Sequence, residues 1–353
     1  MKFDVDFDRA PLLVIWEITR SCELSCKHCR AEAINRRDPR ELSLEEGKCL
    51  VDDVAAMGTP LMIFTGGDPL QRDDLETLIA HAKSKKLRVG TIPATTARLT
   101  RERVASLKAA GVDQMALSLD GPDAETHDTF RRVEGSFEKA MEGAAWAREL
   151  EVPLQVNSVF GAWNVHQFDE MVALVESLGI VFWEVFFLVP TGRGTELESC
   201  TAEQFEELFA KLHALSRRAN YIVKVTEGQH FRRYMAEAAR NAGGGNGAGR
   251  HPMGAGSDKP AVNAGKGFCF VDHIGNVCPS GFLPLPCGNV RETSVIDIYR
   301  EHPVFKELRD DSLLKGKCAH CPHRRICGGG SRARAYAMTG DYFAPEPFCA
   351  FGG

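Results

Sequence analysis

The sequence predicts an α/β fold, a partial (βα)6 TIM-like barrel followed by a small cysteine-rich C-terminal domain. Three observations carry that expectation. Between residue 12 and about residue 218, short β-like runs alternate six times with amphipathic stretches of helical length. The β-like runs are nearly continuous in apolar residues, the pattern of parallel strands covered on the outside by helices. The twelve cysteines are clustered, three at 22–29 and seven between 269 and 349, with Cys49 and Cys200 alone.

At 353 residues and 44% apolar content, the chain is long enough for one large domain and a smaller one. A formal charge of −5, without runs of lysine or arginine, leaves no electrostatic footprint for nucleic acid or an acidic membrane. The start Met1-Lys2-Phe3-Asp4 lacks a basic segment leading into an apolar one, and no stretch approaches the ~18 apolar residues of a spanning helix. The expectation is a cytoplasmic protein with no nucleic-acid and no membrane partner. In that reducing compartment, clustered cysteines are metal ligands rather than disulfides.

The first strand is expected over 12–18, and its loop carries Cys22, Cys26 and Cys29. Ser43-Leu44-Glu45-Glu46 is a capping box that opens a helix to residue 57. The second strand, 61–65, runs into Gly66-Gly67-Asp68 and a helix over 73–86 whose apolar stripe is Leu75, Leu78, Ile79 and Ala82. The remaining units pair strands 87–93, 114–119, 154–160 and 181–189 with helices 101–110, 137–149, 166–178 and 202–217. Six units fall short of the eight that close a barrel. A strand-like 221–226, a helical 231–240 and a glycine-rich linker over 241–267 follow, dividing the chain into 1–218, 219–267 and 268–353. The last part, with one helix expected over 295–309, has little material for a core and is expected to be braced by metal.

Loops after parallel strands gather on one rim, which brings 22–29, 66–68, Asp120-Gly121-Pro122 and Pro190-Thr191-Gly192-Arg193-Gly194 together. Three thiolates spaced C-x3-C-x2-C converge on one centre with no local fourth ligand, as in an iron–sulfur cluster with an open iron. A zinc site with a distant fourth ligand is the alternative. Cys318, Cys321, Cys327 and Cys349 can saturate a second [4Fe-4S] cluster, with a zinc ribbon as the alternative. Cys49 and Cys200 read as core or surface thiols.

The cysteine triplet, with His28 before its third member and Gly66-Gly67-Asp68 on the next loop, resembles the signature of the radical S-adenosylmethionine (SAM) superfamily. The resemblance implies that Cys22, Cys26 and Cys29 hold a [4Fe-4S] cluster whose open iron is chelated by SAM. It also implies that Gly66 and Gly67 admit the SAM amino group and that Asp68, standing in place of the family's Glu, accepts from it. Ser118, Asp120 and Asn157, with Ser158 nearby, would meet the ribose and methionine part, Arg131 the SAM carboxylate, and His28 the adenine face.

The C-terminal cysteines resemble the SPASM extension, which implies an outer auxiliary cluster on Cys318, Cys321, Cys327 and Cys349. Cys269, Cys278 and Cys287 are available for a second, inner one. There the family's Pro-Cys reads Pro279-Ser280, and its Cys-Gly-Gly-Cys reads Cys327-Gly328-Gly329-Gly330-Ser331. Absence of the inner cluster, an open iron and a serine-bound iron all stay open.

Trp16-Glu17-Ile18-Thr19-Arg20-Ser21-Cys22, Cys29-Arg30-Ala31-Glu32-Ala33, Leu188-Val189-Pro190-Thr191-Gly192-Arg193, Gly281-Phe282-Leu283-Pro284, Cys287-Gly288-Asn289-Val290-Arg291 and Arg332-Ala333-Arg334-Ala335-Tyr336 resemble the haem-maturing branch of the superfamily. This branch includes the iron-coproporphyrin decarboxylase and the haem d1 enzyme. The implied reaction is reductive cleavage of SAM to a 5′-deoxyadenosyl radical and hydrogen abstraction. On a tetrapyrrole propionate, loss of carbon dioxide and an electron would leave a vinyl group, with the auxiliary cluster accepting the electron. Arg20, Arg30, Arg193, Arg332 and Arg334 are the candidates to pair the carboxylates. The implied partners are a small-molecule or peptide substrate and a ferredoxin- or flavodoxin-like electron donor. The rival readings are a SPASM peptide maturase, against which only about eleven residues precede the first strand, and a non-catalytic iron–sulfur or zinc scaffold, which would need neither an open iron nor Gly-Gly-Asp.

Overall fold

The apolar runs pair side by side into one sheet. In a computed structural model described for residues 5–241 and 261–352, the strands are β1 (Leu13–Glu17), β2 (Leu61–Thr65), β3 (Arg88–Thr91), β4 (Gln114–Ser118), β5 (Leu154–Phe160), β6 (Phe182–Phe187), β7 (Ile222–Thr226), β8 (Phe268–Val271) and β9 (Val277–Cys278). Their order is β7-β6-β5-β4-β3-β2-β1-β8-β9, parallel from β7 through β8 and antiparallel only between β8 and β9. The covering helices are α1 (Leu44–Met57), α2 (Leu75–Ser84), α3 (Arg101–Ala110), α4 (Ala124–Arg131), α5 (Ser136–Glu149), α6 (Phe168–Ser177), α7 (Ala202–Arg218) and α8 (Phe231–Asn241). After the sheet come α9 (Val295–Glu301), α10 (Pro303–Arg309), single turns α11 (Gly316–Ala319) and α12 (Arg324–Cys327), and α13 (Arg332–Thr339). No described helix is long and apolar enough to cross a membrane.

Side chains alternate across each strand, so the packing of one set fixes the direction of the other. Trp16 lies against Phe64, with Leu78 and Gly47 behind it, and Trp183 stacks on Phe168 of α6 at 5.7 Å. Those rings face the helices, and burying each contributes roughly 2–3 kcal/mol. A Cβ on Gly47 would come within 2.5 Å of the Trp16 ring, so glycine is what lets α1 close on β1. Their neighbours Ile15, Glu17, Ile63, Thr65, Phe182, Glu184 and Phe186 point the other way, into the lumen.

The six expected units are present with ends shifted by up to a few residues. The Ser43 capping box forms as read, with Glu46 returning a bond to the Ser43 backbone at 2.8 Å. Four features differ from the sequence reading. Helix α4 stands where the sequence predicts only the loop after β4; its signal is the cap Asp123, which accepts from Thr126 N at 2.8 Å. The helix expected over 295–309 breaks at His302-Pro303, because Pro303 has no N–H to donate and His302 caps both pieces. The sheet continues past the sixth strand, with β7 pairing on β6 and β8 on β1. The C-terminal part also shares a core: Val295, Ile298, Tyr299 and Phe305 join the main apolar cluster, so metal is not its only brace. Most of the linker, 242–260, lies outside the described residues.

Candidate active site and a second cysteine cavity

After β1 the chain leaves the sheet in an irregular loop whose shape is set by backbone bonds. Cys22 N donates to Ile34 O at 3.0 Å, and Cys29 N donates to Cys26 O at 3.3 Å. Cys22 and Cys26 are buried and Cys29 half-buried. Each sulfur receives one N–H: Leu24 N to Cys22 Sγ at 3.3 Å, Ala33 N to Cys29 Sγ at 3.5 Å, and the Arg131 guanidinium to Cys26 Sγ at 3.5 Å. Burial, with Asp68 and the neighbouring thiols adding to it, pushes Cys22 up to about 12. Burial also raises Cys26 against the pull of Arg131. Among the described residues no three His, Cys, Asp or Glu side chains close round a single metal ion. What the loop offers is three neighbouring thiols with sulfur-directed donors. Three thiolates this close, two of them buried, are stable together only with cationic charge among them, which iron supplies, so the donor set suits a cluster.

The other loops hold this one. Arg193 donates from Nε to Cys26 O at 2.9 Å and from Nη1 to Ala33 O at 3.1 Å, and Arg193 N donates to Cys29 O at 3.1 Å. Gly67 N reaches Thr19 O at 2.8 Å and Asp68 N reaches Ser21 O at 2.7 Å. A Cβ on Gly66 would meet Thr19 O at 2.7 Å, and one on Gly67 would meet both Arg20 O and Ser21 O at 2.6 Å. These glycines therefore have a reason that sequence reasoning missed: they let two loop backbones touch. Asp68 is buried and accepts from Leu70 N at 3.1 Å, Ala94 N at 3.3 Å and Thr96 Oγ1 at 2.7 Å; burial nonetheless raises its carboxyl.

At the β4–β5 rim, buried Asp120 pairs with Arg131 and accepts from Val159 N at 2.8 Å. Burial opposes its ionisation, but Arg131, His28 and His127 outweigh it and hold the carboxyl below its usual range. Helix α4 thereby aims Arg131 at both Asp120 and Cys26. His28 stacks on Phe130 at 4.8 Å, and Phe130 on Trp163 at 4.9 Å. Burial, then Arg131, push the His28 imidazole down to about 4, and its Nδ1 is buried without a partner.

Below this rim runs a row of polar side chains. Ser118, Asn157, Glu184 and Lys224 are successive register partners on β4, β5, β6 and β7. Glu184 accepts from Lys224 Nζ at 2.6 Å, Thr226 Oγ1 at 2.6 Å and Gln155 Nε2 at 2.8 Å, while Gln155 also donates to Asn157 Oδ1 at 2.6 Å. Ser158, by contrast, faces the helices and accepts from Trp183 Nε1 at 3.0 Å. The sequence marks Glu184 and Lys224 only faintly, by a carboxylate inside the aromatic run Phe182-Trp183-Glu184-Val185-Phe186.

In the C-terminal part, Cys318, Cys321, Cys327 and Cys349 all line one cavity, with His230 beside them. Burial pushes Cys327 up to about 12, with Cys349 adding to it. Arg334 on α13 is fully buried and pairs with Glu346 at 3.1 Å, and its Nε donates to Leu188 O at 3.0 Å at the end of β6. Cys269, Cys278 and Cys287 are buried electrostatic neighbours, and Cys287 Sγ donates to Leu285 O at 3.3 Å. Ser280 Oγ accepts from Phe282 N at 3.1 Å; Ser331 caps α13 and its hydroxyl donates to Glu227. Cys49 is exposed and Cys200 buried.

The five arginines expected as carboxylate partners all have partners within the protein, with the Nη2 of Arg193 left over. Arg20 donates to Ala31 O, Arg30 pairs with Glu17 at 2.8 Å, Arg193 binds the cysteine loop, Arg332 donates to the carbonyls of Tyr342 and Ala344 at 2.8 and 2.9 Å, and Arg334 pairs with Glu346.

A family model described as the radical SAM superfamily matches residues 16–175, and one described as an iron–sulfur cluster-binding domain matches 263–322. The AdoMet-dependent heme synthase of Nitratidesulfovibrio vulgaris is 40% identical over 96% of this chain and 92% of its own length. The chain belongs to the radical SAM superfamily. It is a radical SAM enzyme with a SPASM domain, and its cofactors are SAM and [4Fe-4S] clusters. The PqqA peptide cyclase of Rhodopseudomonas palustris is 29% identical over 96% of this radical SAM chain and 87% of its own. Streptococcus suis SuiB bound to S-adenosylmethionine matches 97% of this chain and 78% of its own at a TM-score of 0.75 and 16% identity, a likeness of fold alone.

Proposed function

We propose that this radical SAM enzyme decarboxylates a propionate-bearing, haem-type tetrapyrrole. The observation that carries the reading is the mixed polar and apolar lumen. The polar row Ser118, Asn157, Glu184 and Lys224 crosses β4 to β7, Ile15 and Ile63 stand apart from it on β1 and β2, and Phe186, one pleat beyond Glu184 on β6, meets Phe282 at 6.4 Å. A flat macrocycle with an apolar face and carboxylate edges matches both kinds of side chain. The name of the 40% identical relative, a heme synthase, supports the same class.

In this reading Cys22, Cys26 and Cys29 hold the first cluster, and Cys318, Cys321, Cys327 and Cys349 an auxiliary one. Cys269, Cys278 and Cys287 are the weaker candidates for another, because Ser280 and Ser331 already have partners in the protein. When bound, SAM and its cluster supply a radical that abstracts hydrogen from an unactivated carbon. The chain positions and shields. Arg131 donates to Cys26 Sγ while Asp120 fixes its guanidinium, and Gly66, Gly67 and Asp68 lock the cysteine loop to the β2 rim. His28, Ser118, Asp120, Asn157 and the remaining Arg131 nitrogen border the space assigned to SAM. Lys224 spends one N–H on Glu184 and has others to offer a substrate carboxylate, as has the unpartnered Nη2 of Arg193. Residues 1–218 form the radical-generating part, 219–267 the bridge and 268–353 the auxiliary part. The electron donor is a ferredoxin- or flavodoxin-like protein, and the site of action is the cytoplasm.

The test is anaerobic turnover of the reconstituted chain with dithionite, SAM and iron-coproporphyrin III. Loss of carbon dioxide by mass spectrometry is expected. Production of 5′-deoxyadenosine with the porphyrin unchanged in mass and no faster than without it would overturn the tetrapyrrole reading.

A further inference from the structure

His230, between β7 and α8, has no place in the scheme above. It is fully buried, and both ring nitrogens lack a hydrogen-bond partner. Buried polar atoms are nearly always satisfied, so an imidazole with two orphaned nitrogens needs an explanation. Its surroundings narrow the choice. Phe205 and Phe209 lie against the ring at 5.0 and 4.8 Å and offer nothing to accept an N–H. The cavity it lines is the one that Cys318, Cys321, Cys327 and Cys349 share.

Most other polar groups around that cavity are engaged, the Nε of Arg233 being the exception. His323 Nε2 meets Glu237 at 3.2 Å and Arg240 at 3.1 Å. Arg233 pairs with Glu206 and with Glu237 at 2.9 Å, and Glu346 with Arg334 at 3.1 Å. His230 is thus a donor set aside, facing the four thiols. In either charge state an imidazole carries at least one N–H.

Resting on the assignment of an auxiliary cluster to those four cysteines, we propose that His230 donates an N–H hydrogen bond to a sulfur of that cluster and raises its reduction potential. Four thiolates already close the cluster, so the imidazole acts as a positioning and tuning residue rather than a ligand. An electron taken up by a four-thiolate cluster adds negative charge in a buried site, and a donor aimed at sulfur stabilises that reduced form. The effect is to make the cluster a better acceptor for the electron that oxidative decarboxylation releases.

The experiment uses the full chain with Cys26→Ala, so that the first cluster does not contribute, and compares His230, His230→Gln and His230→Phe. The aromatic variant fills the niche between Phe205 and Phe209 without an N–H; the amide keeps a donor. Iron content, an EPR-monitored redox titration and pulsed EPR of the reduced cluster are read together. The expected result is equal iron in all three, a midpoint displaced to more negative potential in His230→Phe and largely restored in His230→Gln, and a histidine nitrogen coupling present only with His230. An unmoved midpoint in His230→Phe overturns the proposal, as does loss of iron in that variant alone, which would make His230 a ligand. If the variants do not fold, the nitrogen coupling in the parent decides, and its absence overturns the proposal. A parent without iron at Cys318, Cys321, Cys327 and Cys349 would instead sink the cluster assignment on which it rests.

Discussion

The loop at 22–29 and the cavity at 318–349 both gather buried thiols, yet they are built in opposite ways. The first has three cysteines, a backbone N–H or guanidinium on each sulfur, and loops from β2, β4 and β6 packed around it. The second has four cysteines around one cavity, beside a fully buried arginine–glutamate pair that ties α13 to the end of β6. A site that must admit a small molecule keeps a ligand position open and places its polar groups on loops. In the proposed scheme the second site passes only an electron, so its own chain can close it and its surroundings serve stability and potential.

The comparison breaks most visibly at the ion pair. Arg334→Ala strands the buried Glu346 and is expected to cost about 3–5 kcal/mol, read as a lowered midpoint in thermal or urea unfolding. Replacing both partners by apolar residues is expected to cost less, and an equal cost for the two would refute the stranded-charge account. At the first site, Gly67→Ala forces a Cβ to 2.6 Å from the carbonyls of Arg20 and Ser21. SAM cleavage is expected to fall roughly 100-fold through misplacement of the cysteine loop, while iron at the C-terminal cysteines stays. Iron analysis and 5′-deoxyadenosine assays on the same sample separate the two sites.

Lys224→Met is expected to raise KM for iron-coproporphyrin about tenfold, the loss of one charge-assisted bond. Cleavage of SAM without porphyrin should hold at the parental rate. The smallest effect is reserved for a residue remote from both sites. Ser43→Ala removes the capping box of α1 and is expected to cost about 1 kcal/mol, seen in the unfolding midpoint with iron content unchanged.

Legibility in the sequence followed the range of the interactions. The six strand–helix units and the Ser43 cap were readable because period and capping are local. The cysteine loop was readable because its three thiols lie within eight residues. What sequence could not show were partnerships across the chain. Arg334 looks like a free cation until Glu346 and the β6 carbonyls are placed beside it, and the protein partners of the arginines at 20, 30, 193 and 332 are likewise distant in sequence. Glycines 66 and 67 read as room for a ligand, and their second use, close packing on the backbone of the cysteine loop, shows only once Thr19, Arg20 and Ser21 are placed beside them. Lys224 and Glu184 acquire meaning only once register sets them beside Asn157 and Ser118.

The division of labour between the two cysteine sites is tested most directly by one anaerobic assay of 5′-deoxyadenosine formation on the parent, Cys26→Ala and Cys327→Ala chains, with dithionite and SAM. The account predicts nucleoside from the parent and from Cys327→Ala, and none from Cys26→Ala. Equal nucleoside from Cys26→Ala and the parent would contradict it.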